Sequence, residues 1–211
     1  MQFETLRPEE IEARSFAILT KELEEAGIRL DEETAMITKR CIHTSADFEY
    51  AKTLTFSEGA AEKIRELIRG GACIVTDTNM ALAGINKRKL AAYGGEVFCF
   101  MADEEVAAEA KKRGITRAAV SMERAALLNR TVIFAIGNAP TALIRLYEMM
   151  EEGVFKPAFI IGVPVGFVNV VEAKELFIGT DVPYIINRGR KGGSNIAAAI
   201  CNAVLYSMRS E

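Results

Sequence analysis

Five short apolar runs, set between stretches of helical periodicity, leave this chain few folds to choose from. They are ACIVTD (72–77), EVFCF (96–100), TVIFAIG (131–137), PAFIIGVP (157–164) and PYIINRG (183–189). Each is strand-length and rich in β-branched or aromatic residues, so each reads as a strand, the first of them a buried one. Helical spacing occupies 57–69, 102–113, 117–129, 140–151, 170–178 and 194–208. Strands that alternate with helices pair in parallel through crossovers that lay helices on both sheet faces. The pattern therefore predicts an α/β fold, three-layer α/β/α, around a mainly parallel five-stranded sheet. Upstream, Ile11, Phe16, Ile18, Leu19, Leu23 and Ala26 lie at helical spacing and stop at Gly27, and a second helical stretch over 31–41 leads to His43. These form a helical N-terminal extension, and Ser57 is the expected cap of the helix that follows.

Half of the 211 residues are apolar, enough for one substantial core, which predicts a single domain over 1–211. A net charge of −3 supplies no global basic field for nucleic acid, so an anionic ligand must meet a local cluster. The opening segment MQFETLRPEEIEARSF is charged throughout, and the longest apolar runs are too short to span a bilayer. A cytoplasmic protein without a membrane anchor is expected. Cys41, Cys73, Cys99 and Cys201 are dispersed among apolar neighbours and read as core residues of a reducing compartment.

In an open parallel sheet, ligands bind beyond the carboxyl ends of the strands. Four of the five predicted strands end in loops mixing Gly, Pro, Asn and small hydroxyl residues: DTNMALAG (77–84), GNAPTAL (137–143), GVPVGFVN (162–169) and NRGRKGGSN (187–195). Such residues also serve ordinary strand-to-helix turns, where Asn138 and Ser194 can act as caps. Four together on one edge point to a ligand cleft. The last loop adds Arg188, Arg190 and Lys191 ahead of Gly192, Gly193, Ser194 and Asn195, a setting for a carboxylate or phosphate. It lacks Walker spacing, and no GxGxxG follows the first strand. One histidine and scattered cysteines offer no zinc ligand set, so no metal is expected.

That one histidine, His43, opens HTSADF (43–48). Histidine is the side chain that exchanges protons near neutrality without special tuning. Ser45 and Asp47 flank it two and four residues on, but residues two apart on an extended chain point the same way, and no GxSxG elbow is present, which argues against a hydrolytic triad. His43 acting alone as an acid or hydrogen-bond donor fits better.

Taken together, HTSADFEY, DTNMALAGI, TRAAVSM, GNAPTAL, GVPVGFVN followed by EAKELF, and RGRKGGSNIAAA closely resemble the precorrin-8X methylmutase family, including its cobalt-precorrin-8 methylmutases. The resemblance covers nearly the whole chain, with the motifs in the family's order. It implies a flavodoxin-like fold, a homodimer and an isomerase of cobalamin biosynthesis that moves a methyl group from C11 to C12 of a corrin precursor, giving hydrogenobyrinate or cobyrinate. It implies a corrinoid substrate and no redox or nucleotide cofactor. It makes His43 the catalytic proton donor or acceptor and places Ser15, of ARSF, against substrate. Arg117 matches the family's TRS arginine, with Ala118 in place of the usual serine, and Thr78, Met80, Gly84, Asn138 and Ser194 fall in matching motifs. A flat, carboxylate-edged substrate asks for an apolar slot, for which Met36, Met80 and Phe167 are candidates, with the basic loop at its rim. Two other readings compete: a tetrapyrrole carrier, which needs no acid, and a nucleotide-dependent α/β oxidoreductase, which needs a phosphate fingerprint that DTNMALAG does not supply.

Overall fold

The computed structural model describes residues 7–208, the side chain of Glu9 excepted. The chain enters through α1 (Pro8–Glu25), α2 (Ala35–Ser45) and the single turn α3 (Tyr50–Thr53), and passes into β1 (Leu54–Phe56). There follow α4 (Ala60–Arg69), β2 (Cys73–Thr76), α5 (Asn79–Gly84), α6 (Lys87–Ala91) and β3 (Val97–Phe98). The remainder is α7 (Glu104–Arg113), α8 (Arg117–Ala126), β4 (Val132–Ile136), α9 (Pro140–Glu151), β5 (Phe159–Gly162), α10 (Val170–Glu175), β6 (Tyr184–Asn187) and α11 (Ser194–Ser207).

The sheet has six strands in the order β1-β6-β5-β4-β2-β3. Five pair in parallel, as the apolar runs predict, but β1 joins the edge antiparallel to β6, with Leu54 opposite Asn187 and Phe56 opposite Ile185. The expected five-stranded sheet is therefore a mixed six-stranded one. Three residues continuing straight out of a helical turn are too few to show a period of two. Ser57 belongs to the same pairing. Its hydroxyl accepts the Tyr184 N–H at 2.9 Å and its own N–H donates to the Tyr184 carbonyl, while Gly59, at φ +63°, starts α4.

Neighbouring residues on each strand face opposite layers. Ile74, Ile133, Ile161 and Ile185 pack beneath α1, α2, α4 and α11, whereas Val75, Phe134, Ile160 and Ile186 pack beneath α8, α9 and α10. The N-terminal extension joins this core, with α1 packed on α2 and α2 on α11. Val106 and Ala110 of α7 join Val120 of α8 in a small satellite cluster. Burial pushes the thiols of Cys41 and Cys201 up to about 12, as expected of core residues. No described helix is long and apolar enough to cross a membrane.

Two local departures matter for the site. Helix α2 starts later and runs further than the 31–41 expected, so His43 stands in its last turn, and Ala46 ends it in the left-handed region at φ 54°. Helices α5 and α6 occupy the segment after β2, capped by Thr78, which accepts the Ala81 N–H, and by Asn86, which accepts the Lys89 N–H.

Candidate functional site

The chain leaves β2 toward β3 on one side and runs β4, β5, β6 on the other, so the winding reverses between β2 and β4. A doubly wound sheet opens a crevice at such a point. There Asp77, fully buried just after β2, accepts the N–H groups of Gly137 (2.8 Å), Asn138 (2.8 Å) and Ala139 (2.5 Å) at the start of α9. Burial raises its carboxyl above the usual range, against the opposing pull of those three donors. The amino end of α9 is therefore already occupied by a carboxylate. Thr78 and Ser194 share a hydroxyl–hydroxyl hydrogen bond of 2.8 Å. A Cβ on Gly137 would stand 2.7 Å from the Cα of Ser194, so glycine is what lets α11 start against the end of β4. Thr78 and Ser194 are thus in direct contact and Asn138, whose side chain is exposed, adjoins them.

A second group surrounds His43. Its ring is exposed and stacks on Phe16 of α1, with centroids 5.1 Å apart and planes inclined by 23°. An open groove of about 380 Å³ runs past it, walled by Ser15, Ile18, Leu19, Ile42, Ala46 and Phe48, with Glu22 at the rim. Helix pairing therefore brings Ser15 to His43, although Ser15 Oγ donates to the Ile11 carbonyl at 3.0 Å. On the other side of Phe16 a larger groove of about 870 Å³ holds Met36, Lys39 and Arg40. The Arg40 guanidinium lies 4.7 Å from the Phe16 centroid and pairs with Glu12 at 2.8 Å. The expectation that Ser45 and Asp47 flank His43 on extended chain is corrected, because Ser45 closes α2 with its hydroxyl on the Cys41 carbonyl at 2.8 Å.

The basic loop connects the two groups. Lys191 reaches Asp47 at 2.6 Å and Glu49 at 2.8 Å, in the segment that follows His43. Those two carboxylates hold the ammonium well above its ordinary range, and Lys191 holds Asp47 below its own. Arg188 pairs with Glu175 at 3.4 Å. Among the described residues Arg190 makes no ion pair, and its guanidinium rests 5.5 Å from the ring of Phe167, a side chain 82% exposed. Arg190 is thus the cation of this loop left to meet an anion.

Other expected residues stand apart. Met80 is 71% exposed. Gly84 has a packing reason, since a Cβ there would stand 2.9 Å from Ala198 Cβ, and its carbonyl accepts Asn202 Nδ2 at 2.8 Å. Arg117 is exposed at the first position of α8 and donates to the Met101 carbonyl at 3.4 Å, in the turn between β3 and α7. Ala118 is buried in the core beside it.

Sequence reasoning missed Asp77 and Lys174. Lys174 is fully buried, and its Nζ donates to the carbonyls of Gly189 and Lys191, each at 2.8 Å. The signal was present: Val170, Ala173, Lys174 and Phe177 form the buried face of α10 and the turn after it, so a lysine sits at a core position. Burial pushes its ammonium down from 10.5 to about 8. Between those values the unfolded chain binds more protons than the folded one, so this group's contribution to stability grows from pH 8 to 10.5 and is lost as pH falls through 8. Compared with Lys174→Met by urea unfolding, the wild type should gain up to about 3 kcal/mol across that window. Parallel pH profiles for the two proteins would contradict this.

Comparison with known proteins places this architecture. Residues 10–207 match the family model described as CbiC, precorrin-8X methylmutase. The chain is 44% identical over 211 residues to the cobalt-precorrin-8 methylmutase of Salmonella typhimurium, covering 96% of this chain and 97% of that one. It is 42% identical over 200 residues to the cobalt-precorrin-8 methylmutase of Priestia megaterium, covering 95% and 88%. A crystal structure of the precorrin-8X methyl mutase from Thermus thermophilus aligns with a TM-score of 0.82 at 38% identity, covering 93% of this chain and 96% of that one. With the lone histidine of α2, the strand-end loops and the basic turn all contained in the matched span, the chain belongs to the precorrin-8X methylmutase family.

Proposed function

We propose that this chain is the isomerase that moves a methyl group from C11 to C12 of precorrin-8X or cobalt-precorrin-8, with His43 as proton donor or acceptor. The observation that carries the reading is family membership over residues 10–207. Counted in chain order, the parallel strands run 2-1-3-4-5 across the sheet, the flavodoxin-like order, which supports a single flavodoxin-like domain spanning 1–211.

A methyl shift within a conjugated macrocycle conserves atoms and electrons, so the protein has to select a tautomer and hold the ring rather than deliver electrons or an activated group. His43 is suited to the first task. Its stack on Phe16 fixes the plane of the imidazole at the edge of an apolar groove. Proton donation of this kind contributes ~10²–10⁴-fold to rate. The apolar walls from Ile18, Leu19, Ile42 and Phe48 suit a flat ring face and exclude water from it, and Ser15 adds a hydroxyl at the same groove. Thr78, Met80, Gly84, Asn138, Ser194 and Arg117 are proposed as contacts along the strand-end edge, with Gly84 also letting α5 pack on α11.

The carboxylate rim falls to Arg190. Arg190→Gln should raise KM about tenfold and leave kcat within about threefold, because an edge contact persists through the shift. Equal KM for the two proteins, measured by initial rates, would remove Arg190 from the site. We further propose a homodimer, with the exposed Val165, Phe167 and Val168 nearest the partner. Sedimentation equilibrium is expected to give twice the chain mass, and a fully active monomer would count against it. Incubating the protein separately with metal-free and cobalt-loaded precursor, and following the visible spectrum, tests the function itself. Pigment retained without spectral change would favour a carrier.

A further inference from the structure

A fully buried lysine is expensive, and a methionine would fill the same space without the cost of desolvating a charge. Lys174 bears that cost with no carboxylate partner among the described residues. Both of its acceptors are backbone carbonyls of one loop, those of Gly189 and Lys191. That loop is tied down from several directions. Asn187 Nδ2 donates to the Lys191 carbonyl at 2.8 Å, Gly166 N–H donates to the Arg190 carbonyl at 3.2 Å, and Gly193 N–H donates to the Val163 carbonyl at 2.9 Å. The carbonyls of residues 189, 190 and 191 are thus drawn toward the protein, which turns the side chains of Arg190 and Lys191 to the surface. Lys191 then meets Asp47 and Glu49 beside His43, and Arg190 stays free of ion pairs among the described residues.

We infer that Lys174 is a positioning residue: from beneath the 188–193 loop it fixes the backbone that presents Arg190 to a substrate carboxylate and Lys191 to the segment following His43. The inference rests on the methylmutase reading for its substrate but not for its geometry. An ammonium has three donors, and two acceptors converge on it here. A methionine offers none. A glutamine keeps two donors on a shorter arm.

Two readouts test this. In Lys174→Met the freed loop should be cut by trypsin after Arg188, Arg190 or Lys191 at least ~10-fold faster than in the wild type, since cleavage follows local opening. The same variant should raise KM for the corrin precursor at least ~10-fold with kcat within ~3-fold, the pattern of lost binding geometry rather than lost chemistry. Lys174→Gln should recover part of both, and it carries the same measurements if the methionine variant fails to fold. A folded Lys174→Met with wild-type tryptic rate and wild-type KM overturns the inference, as does a released loop with unchanged KM. If the wild type itself turns over no precursor, the methylmutase reading falls while the tryptic comparison still decides whether Lys174 holds the loop.

Discussion

Replacing His43 by alanine should lower turnover at least ~10²-fold while leaving corrin binding within a few-fold of the wild type. The asymmetry follows from where the ring sits. It is exposed in the last turn of α2 and touches Phe16 by stacking, so its removal opens no cavity in the core. Deleting one stacked pair costs about 1 kcal/mol, too little to unfold a domain of this size. His43→Asn narrows the chemistry, because an amide donates a hydrogen bond but does not transfer a proton at neutral pH. Partial activity in the asparagine variant would assign His43 to hydrogen bonding, and activity as low as in alanine would assign it to proton transfer. Normal turnover by a stoichiometrically loaded His43→Ala would remove the histidine from the mechanism.

The largest structural penalty is expected at Gly192. A Cβ there would stand 2.0 Å from the Val163 carbonyl oxygen and 2.9 Å from that of Pro164, both backbone atoms that no rotamer change can move. Gly192→Ala should therefore cost about 3 kcal/mol, at the upper end for overpacking, or a fall in Tm of roughly 6–12 °C. Gly189 is the control. It lies at φ +75° and a Cβ there would meet nothing within 4 Å, so Gly189→Ala should cost only the left-handed penalty of about 1 kcal/mol. Calorimetry on both variants checks the ranking. A Gly192→Ala protein as stable as the wild type would mean that the two loops do not pack as described.

Strand and helix alternation made the parallel core legible, because a strand buried on both faces must be apolar throughout and Gly or Pro must break the chain around it. β1 was not legible, since its pairing with β6 is set by tertiary contact and not by its own three residues. The helices after β2 were hidden in a loop rich in Asn and Gly, where Thr78 and Asn86 act as caps rather than turn residues. At the site, His43 announced itself by being unique, and Ser15 was reachable only through resemblance, because its approach to His43 depends on how α1 lies on α2. Asp77 and Lys174 are charges placed where the pattern asks for apolar or turn residues. Lys191 shows the opposite failure: its charge was visible, but its carboxylate partners lie 144 residues away in the sequence at Asp47, and beside it at Glu49.

If this chain alone, through His43 and the grooves around it, moves one methyl group within one corrin molecule, the methyl must never leave the molecule it started on. Precursor carrying a ¹³C-labelled C11 methyl, mixed with an equal amount of precursor that carries ¹⁵N in its ring and no ¹³C and incubated with the protein and nothing else, decides the point. The ¹³C resonance is expected to move to the C12 position, and mass spectrometry is expected to find the label only in molecules that began with it. Label scrambled between molecules, or bound precursor whose methyl remains at C11, would rule out an intramolecular shift by this protein.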